Sequence, residues 1–449
     1  MKQDATEDKK IQAIVKGLST QPREHWAYRG AKREHAHAFI KYPAMMVPQM
    51  QSEIIDLFVS QYPNIHSVYD PFVGSGTVMT EAMLRGLDFY GQDINPLAVL
   101  SCYTKKGPFN IVLIQKKVEI LKRRITDDGS NAIEINFPKI DKWFKPTVQQ
   151  GLSKIRRAII AEKSLATRRF FWLTLASAVR ATSNSRTTTF KLHIRREEDI
   201  QKRNISPIEV FLQELDANVD RLKTLAELLK QRNLLHNGRF RGKVTVKCKN
   251  VVNNCGRRKQ QRFDFLLTSP PYGDNHTTVP YGQYSYLPLQ WIAPTDLPVG
   301  RKDLFLQSSR FIDKQSLGGI EDRDEKKYME ILRLSPSLKG FLQPLEGDNQ
   351  NRQYKVSSFF YDMHKAIKNI VKQLSDNAFI VFVIGNRRVA GLPVPMDLIM
   401  RELLEQEGAR YITKIARDIP QKRMALKNRT TDTITEESIL IMRGTTNNC

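Results

Sequence analysis

The chain is 449 residues long and carries 71 Lys and Arg against 47 Asp and Glu, a formal net charge of +24. At about 150 residues per domain this length implies roughly two or three domains, and a hydrophobic content of 41% excludes a wholly disordered chain. No apolar run reaches the roughly 18 residues of a membrane span, residues 1–10 lack the apolar segment of a secretory signal, and Cys102, Cys248, Cys255 and Cys449 are too scattered for a disulfide framework or a zinc site.

A soluble, intracellular protein without a resident metal is the expectation, and a pI near 9.8 favours a polyanionic partner, most simply nucleic acid. In chain order, residues 1–40 are polar and mixed in charge, with a short helical stretch at 11–18. An amphipathic helix is predicted at 49–60. Residues 66–70 read as a strand ending in Asp70, 71–77 as a Gly-rich turn, 78–85 as a helix, and 87–93 as a strand ending in Asp93. That succession begins a Rossmann-like, doubly wound, mostly parallel sheet of the α/β class.

Residues 108–239 show helical periodicity and basic doublets at Lys116-Lys117, Arg123-Arg124, Arg156-Arg157, Arg168-Arg169 and Arg195-Arg196. They read as a helical insertion between the two parts of a catalytic domain, 41–107 and 240–449, with 1–40 as an N-terminal extension. Strands are predicted at 243–247 and 263–267, the second running into Thr268-Ser269-Pro270-Pro271-Tyr272. Residues 295–355 are polar and without clear periodicity. A helix at 361–374, a strand at 378–384, a helix at 395–407 and a strand at 437–442 complete the pattern.

Asp70-Pro71-Phe72-Val73-Gly74-Ser75-Gly76-Thr77 joins a strand to a helix. Glycine lets the backbone turn tightly and approach a ligand, and amides at a helix start are donors. Alone, such a turn is as often a plain connection. Asp93 stands roughly where a Rossmann-like site places a carboxylate that accepts from both ribose hydroxyls. The absence of a lysine after Gly76 argues against a nucleoside triphosphate. In Ser269-Pro270-Pro271-Tyr272 the prolines fix φ and stiffen a loop leaving a buried strand. Its hydroxyl, carbonyls and ring suit a planar base bearing an exocyclic amine. A lone Pro-Pro-Tyr is more often an ordinary loop. The co-occurrence of Gly turn, strand-end acid and rigid loop in one basic chain favours a site.

These motifs resemble those of amino-methylating DNA methyltransferases, which use S-adenosylmethionine to methylate an exocyclic base nitrogen. The run from Asp70 to Thr77 matches that family's cofactor motif almost letter for letter, and Ser269-Pro270-Pro271-Tyr272 matches its catalytic motif. Serine at the first position usually accompanies cytosine-N4 rather than adenine-N6 specificity. Lys41-Tyr42-Pro43-Ala44 resembles the upstream cofactor segment and Asp93-Ile94-Asn95-Pro96 the ribose-binding strand end. Gly385-Asn386-Arg387 and Pro420-Gln421-Lys422-Arg423-Met424 recur in related enzymes. Where the family commonly has an acid for the cofactor's adenine, this chain has Asn250. The resemblance covers residues 35–105 and 240–445 and does not extend to the insertion.

The resemblance implies a class I methyltransferase fold. S-adenosylmethionine would be held by Tyr42, Pro43, Asp70, Pro71, Phe72, Gly74, Ser75, Gly76, Thr77, Asp93 and Asn250, with Ser269, Pro270, Pro271 and Tyr272 carrying catalysis. The Tyr272 ring would stack on a flipped cytosine, so Tyr272→Phe should keep most activity. The implied setting is a prokaryotic cytoplasm, the implied partner double-stranded DNA with a flipped target base, and a cognate restriction endonuclease would accompany the enzyme. Target recognition falls to residues 108–237, where Arg156-Arg157 and Arg168-Arg169 would contact phosphates, or to 295–355. No cysteine follows a proline, which counts against cytosine-C5 chemistry. The alternatives are adenine-N6 methylation of DNA, an RNA base amino-methyltransferase sharing the Pro-Pro-Tyr loop, and a non-catalytic nucleic-acid-binding protein on the same scaffold. The last is disfavoured because both Asp93 and Ser269 are present.

Overall fold

Apolar strands between turns assemble into one central sheet. The computed structural model describes residues 2–253, 262–275, 278–299, 304–345, 350–419 and 435–444. Seven strands build the sheet: β1 (Ser67–Asp70), β2 (Asp88–Asp93), β3 (Val244–Cys248), β4 (Phe263–Thr268), β5 (Leu374–Gly385), β6 (Arg410–Asp418) and β7 (Glu436–Arg443). Their order is β6-β7-β5-β4-β1-β2-β3. All run parallel except β7, which lies antiparallel between β5 and β6. The order reverses between β1 and β4, and an open α/β sheet binds its ligands outside the carboxyl ends of the strands at such a switch point.

The longest buried strand, β5, carries an uninterrupted apolar run from Ala378 to Ile384, as expected of a strand covered on both faces. Alternate residues serve opposite sides. Phe379 and Val381 join Phe58 and Phe265 in one core, while Ile380 and Phe382 join Tyr69 and Leu266 in the other. The longer helices are α1 (Lys2–Ser19), α2 (Pro48–Gln61), α3 (Thr77–Met83), α4 (Pro96–Lys105), α5 (Ile111–Thr126), α6 (Pro146–Ile160), α7 (Leu165–Thr182), α8 (Pro207–Gln231), α9 (Tyr281–Trp291), α10 (Gln350–Val371) and α11 (Met396–Gln406). Side chains of Asn95, Ser164 and Ser206 accept from the first-turn amides of α4, α7 and α8. The insertion helices α5 to α8 pack on one another, and α7 lies against α4 and α9. Phe170, Phe171 and Trp172 of α7 thereby enter the same core as the sheet.

Three sequence-level expectations change. The N-terminal helix spans Lys2–Ser19 rather than 11–18, and its Ile14 and Leu18, one turn apart, are buried. The segment 295–355, read as lacking periodicity, contains helices Phe311–Gln315, Glu325–Leu334 and Pro336–Leu342. Phe311–Gln315 and Pro336–Leu342 are too short to repeat an apolar pattern, whereas Glu325–Leu334 carries one in Tyr328, Ile331 and Leu332 that the sequence reading missed. Asp324 and Ser335 cap the last two helices, and Ile331, Leu338 and Leu342 are buried. Helix α10, described over Gln350–Val371, stops at Val371, so Leu374 opens β5 instead of closing the helix.

Candidate active site

Adjacent strand ends tie the two motifs together. Thr268 Oγ1, at the end of β4, donates to Asp70 Oδ1, at the end of β1, over 2.6 Å, and the Phe72 amide donates to the same oxygen at 3.0 Å. Asp70 Oδ2 is buried with no partner among the described residues, and burial pushes the carboxyl up to about 7. Gly74 and Gly76 have φ of +49° and +83°, where a side chain is strained. A Cβ on Gly76 would also come within 2.9 Å of Cys102 Sγ. The turn these glycines allow brings Gly74 N to Asp93 Oδ2 at 2.9 Å, while Asp93 Oδ1 accepts from Asn95 N at 2.8 Å. Burial pushes Asp93 up to about 6, against the pull of these backbone amides. Its carboxylate, with roughly four acceptor sites, retains capacity for a ligand.

The turn faces a cleft. Tyr42, Pro43, Pro71, Phe72, Gly74, Ser75, Thr77, Asp93, Asn250, Ser269 and Pro271 line it, so both motifs meet in one place. Asp70, Gly76, Pro270 and Tyr272 do not line it. The Tyr42 ring stacks on Tyr281 at 5.7 Å, and its hydroxyl accepts from Asn95 Nδ2 at 2.8 Å. Asn250 donates to the Gln315 carbonyl at 2.8 Å and accepts from Val252 N at 2.9 Å, which tethers the loop after β3 to the cleft.

Sequence reasoning missed several wall residues: Asn275, Tyr281, Ile312 and Leu317. Asn275 Nδ2 donates to Asp313 Oδ1 at 3.2 Å, which orients the amide, and its Oδ1 is buried with no partner among the described residues. Proximity to the Pro-Pro-Tyr loop was a signal for Asn275 and Tyr281. Ile312 and Leu317 sit in the segment without periodicity and had none.

Tyr272 carries a hydrogen-bonded chain behind the wall. Its hydroxyl donates to Glu437 Oε1 at 2.9 Å and lies 2.9 Å from Ser269 Oγ. A phenol has one proton, so with that proton directed at Glu437 it is Ser269 that donates to Tyr272. The lone pairs of Ser269 are left for the cleft. Glu437 Oε2 accepts from buried Arg417 Nε at 2.9 Å, and Arg417 Nη1 donates to the Trp26 carbonyl at 2.8 Å. Burial, with the Glu437 charge beside it, holds the Tyr272 phenol well above its ordinary pKa. Arg387, from the Gly385-Asn386-Arg387 motif, lies over Gly273 and pairs with Asp274 at 3.1 Å. A Cβ on Gly273 would sit 1.7 Å from Arg387 Nη1, so a side chain there would displace the guanidinium. The motif at residues 420–424 lies outside the described residues.

The doublets expected to contact phosphates are engaged within the protein. Arg157 pairs with Asp128 at 2.8 Å and Glu134 at 3.1 Å, and Arg156 lies 3.7 Å from Glu134. Arg168 bonds both oxygens of Asp296 at 2.7 and 2.8 Å, and Arg169 Nε donates to the Asp296 carbonyl at 2.8 Å. These arginines tie the insertion to itself and to the segment after α9. Among the described residues, His35, His37 and Glu81 gather ligand-type atoms within 4.8 Å of one another. Glu81 is bonded to His37 and Arg85, and the charges of Lys105 and Arg33 act on His37, so a dication would meet cations there. Also among the described residues, no helix is long and apolar enough to cross a membrane.

No family model matches the chain. It is 31% identical over 458 residues to the type II methyltransferase M.MvaI of Kocuria varians, covering 97% of this chain and 98% of that protein. It is 21% identical to the type II methyltransferase M.BsoBI of Geobacillus stearothermophilus, over 90% of this chain and 84% of that one. Among solved structures, the rRNA methyltransferase AviRa from Streptomyces viridochromogenes is a distant likeness, with 11% identity, 93% and 96% coverage and a TM-score of 0.30. With near-complete mutual coverage at 31% identity, the chain belongs to the type II methyltransferases and is a DNA methyltransferase.

Proposed function

We propose that the protein transfers a methyl group from S-adenosylmethionine to the N4 amine of a cytosine flipped out of duplex DNA, alongside a cognate restriction endonuclease. The observation that carries this reading is the proton order at Ser269, which donates away from the cleft and so offers it lone pairs. When bound, S-adenosylmethionine would supply the methyl group on a sulfonium, the sulfur leaving as a neutral thioether while the methylated amine sheds one proton to solvent. The residues present suit it. Asp93 is an acceptor for ribose hydroxyls, and the buried, unpartnered Asn275 Oδ1 in the cleft wall matches a ligand rich in N–H donors.

The cytosine amine is a poor nucleophile because its lone pair is delocalised into the ring. Ser269 Oγ, with the Pro270 carbonyl, accepts hydrogen bonds from the amine, draws the nitrogen toward tetrahedral geometry and localises that lone pair. Outside the lining of the cofactor cleft, the Tyr272 ring stacks on the flipped base beside Ser269. Orientation of this kind supplies roughly 7–11 kcal/mol of the barrier lowering. Serine at position 269, where the adenine-N6 enzymes of the resembled family usually carry Asp or Asn, is what favours cytosine over adenine. Nucleoside mass spectrometry of duplex DNA treated with the enzyme should find N4-methylcytosine. Finding only N6-methyladenine or 5-methylcytosine would overturn the base assignment.

The cofactor half has its own test. The ionised Asp93 is the stronger acceptor, and its pKa is pushed up to about 6. Cofactor affinity should therefore hold at higher pH and decline as pH falls through about 6. Calorimetry between about pH 5 and 8 should show this decline in the wild type, and a weaker, flatter profile in Asp93→Asn. The loss expected at neutral pH is roughly tenfold or more, the worth of one charge-assisted hydrogen bond. Unchanged affinity in the folded variant would remove Asp93 from the site.

A further inference from the structure

With the inner doublets engaged in ion pairs, the charge of +24 needs another outlet, and residues 184–196 supply one. This segment follows α7 and closes into a hairpin, with Arg186 N donating to His193 O at 2.8 Å and Arg195 N to Asn184 O at 2.9 Å. It carries Arg186, Lys191, Arg195 and Arg196 and no acidic residue. None of these four cations makes an ion pair among the described residues, unlike Arg157 and Arg168. Arg195 instead stands close enough to Arg203 for the two cations to repel. Arg186, Thr187, Thr188 and Arg196 are exposed. Like charges held together on a solvated loop, unpaired with the acids Glu197, Glu198 and Asp199 that follow it among the described residues, are a surface suited to an anion.

The hairpin is anchored beside the cleft. The Phe190 ring meets Tyr284 of α9 at 5.9 Å, and Leu192 N donates to Gln283 Oε1 at 3.2 Å. Tyr284 in turn meets Tyr42, a wall of the cleft, at 5.6 Å. The loop thus stands two ring contacts from the site, on the helix that follows the Ser-Pro-Pro-Tyr motif. Helix α5 also bears Lys116, Arg123 and Arg124, but it packs on α6 and α8, away from the cleft.

We propose that this hairpin grips the phosphate backbone of the DNA flanking the flipped base. The proposal rests on the duplex-DNA reading above. The test is fluorescence anisotropy with a random-sequence duplex over a salt series, comparing wild type, the triple variant Arg186→Gln/Lys191→Gln/Arg196→Gln, and the α5 variant Lys116→Gln/Arg123→Gln/Arg124→Gln. Each phosphate contact contributes about 0.9 to the slope of log affinity against log salt. The hairpin variant should therefore lose about two to three units of slope and bind at least tenfold more weakly at low salt. Its cofactor affinity should match the wild type, which also reports an intact fold. The α5 variant should keep the slope. A hairpin variant with the wild-type slope, or an α5 variant that loses it instead, overturns the proposal while leaving the DNA reading in place. A wild type without salt-dependent duplex binding overturns that reading itself, and the proposal with it.

Discussion

Tyr272→Phe should lower the single-turnover rate by about ten- to a hundredfold, the worth of a hydrogen bond to a charged group at about 1.5–3 kcal/mol. Sequence reasoning assigned Tyr272 only a ring and expected phenylalanine to serve as well. In the structure the hydroxyl bridges Ser269 and Glu437, each at 2.9 Å. Phenylalanine would leave Glu437 Oε1 without its donor and free Ser269 to turn its proton into the cleft, where an acceptor is needed. Tyr272→Ala removes the ring as well and should cost more, since stacking on a base is worth roughly 1–3 kcal/mol. Cofactor affinity should stay near wild type in both, because Tyr272 does not line the cleft. Glu437→Gln separates the hydroxyl chain from packing. An amide can donate to the phenol oxygen, which turns the Tyr272 proton toward Ser269 and occupies the lone pair the amine requires. The rate should then fall as it does in the Phe variant, although ring and volume are kept. If the Phe and Gln variants both transfer methyl at the wild-type rate, the proton chain has no part in the reaction and the ring alone is left.

The half of this site legible in sequence is the half encoded locally. Gly74 and Gly76 lie within a few residues of Asp70, and Asp93 ends the very next strand, so one strand–turn–helix–strand unit specifies the arrangement. The Ser-Pro-Pro-Tyr loop is likewise its own stretch of chain. Glu437 was not legible. It reaches Tyr272 because antiparallel β7 pairs with β5 in the register that sets Glu437 opposite Gly385, and no local pattern encodes that register. Asn275 and Tyr281 lay close to a recognised motif, but which loop side chains face a cleft depends on packing against Asp313, from a segment with no periodicity. That Arg156-Arg157 and Arg168-Arg169 find partners within the protein was hidden for a related reason. A run of arginines shows charge, and whether that charge meets an acid depends on residues far along the chain.

Asp296→Ala is the direct test of that last point and should destabilise the protein by about 1–3 kcal/mol, the cost of leaving buried donors without their acceptor. Asp296 is 4% exposed and receives Arg168 through two bonds and Trp172 Nε1 at 2.7 Å. Alanine would leave a guanidinium and an indole N–H without an acceptor, at the junction where α7 meets the chain after α9. Burial pushes the Asp296 carboxyl up, but the bonds from Arg168 and Trp172 prevail and hold it below the ordinary carboxylate range. A depressed carboxylate pKa stabilises the fold above its unfolded value, and that contribution is lost as pH falls through the lowered one. The difference in Tm between wild type and Asp296→Ala, measured by calorimetry on the full chain, should accordingly be several degrees near neutrality and shrink below about pH 4. Arg168→Gln should also lower Tm, yet leave the salt dependence of duplex binding as it is in the wild type. A variant at Arg168 that keeps its Tm and loses slope would return this doublet to the DNA surface, and the ion pair with Asp296 would then be incidental to the fold.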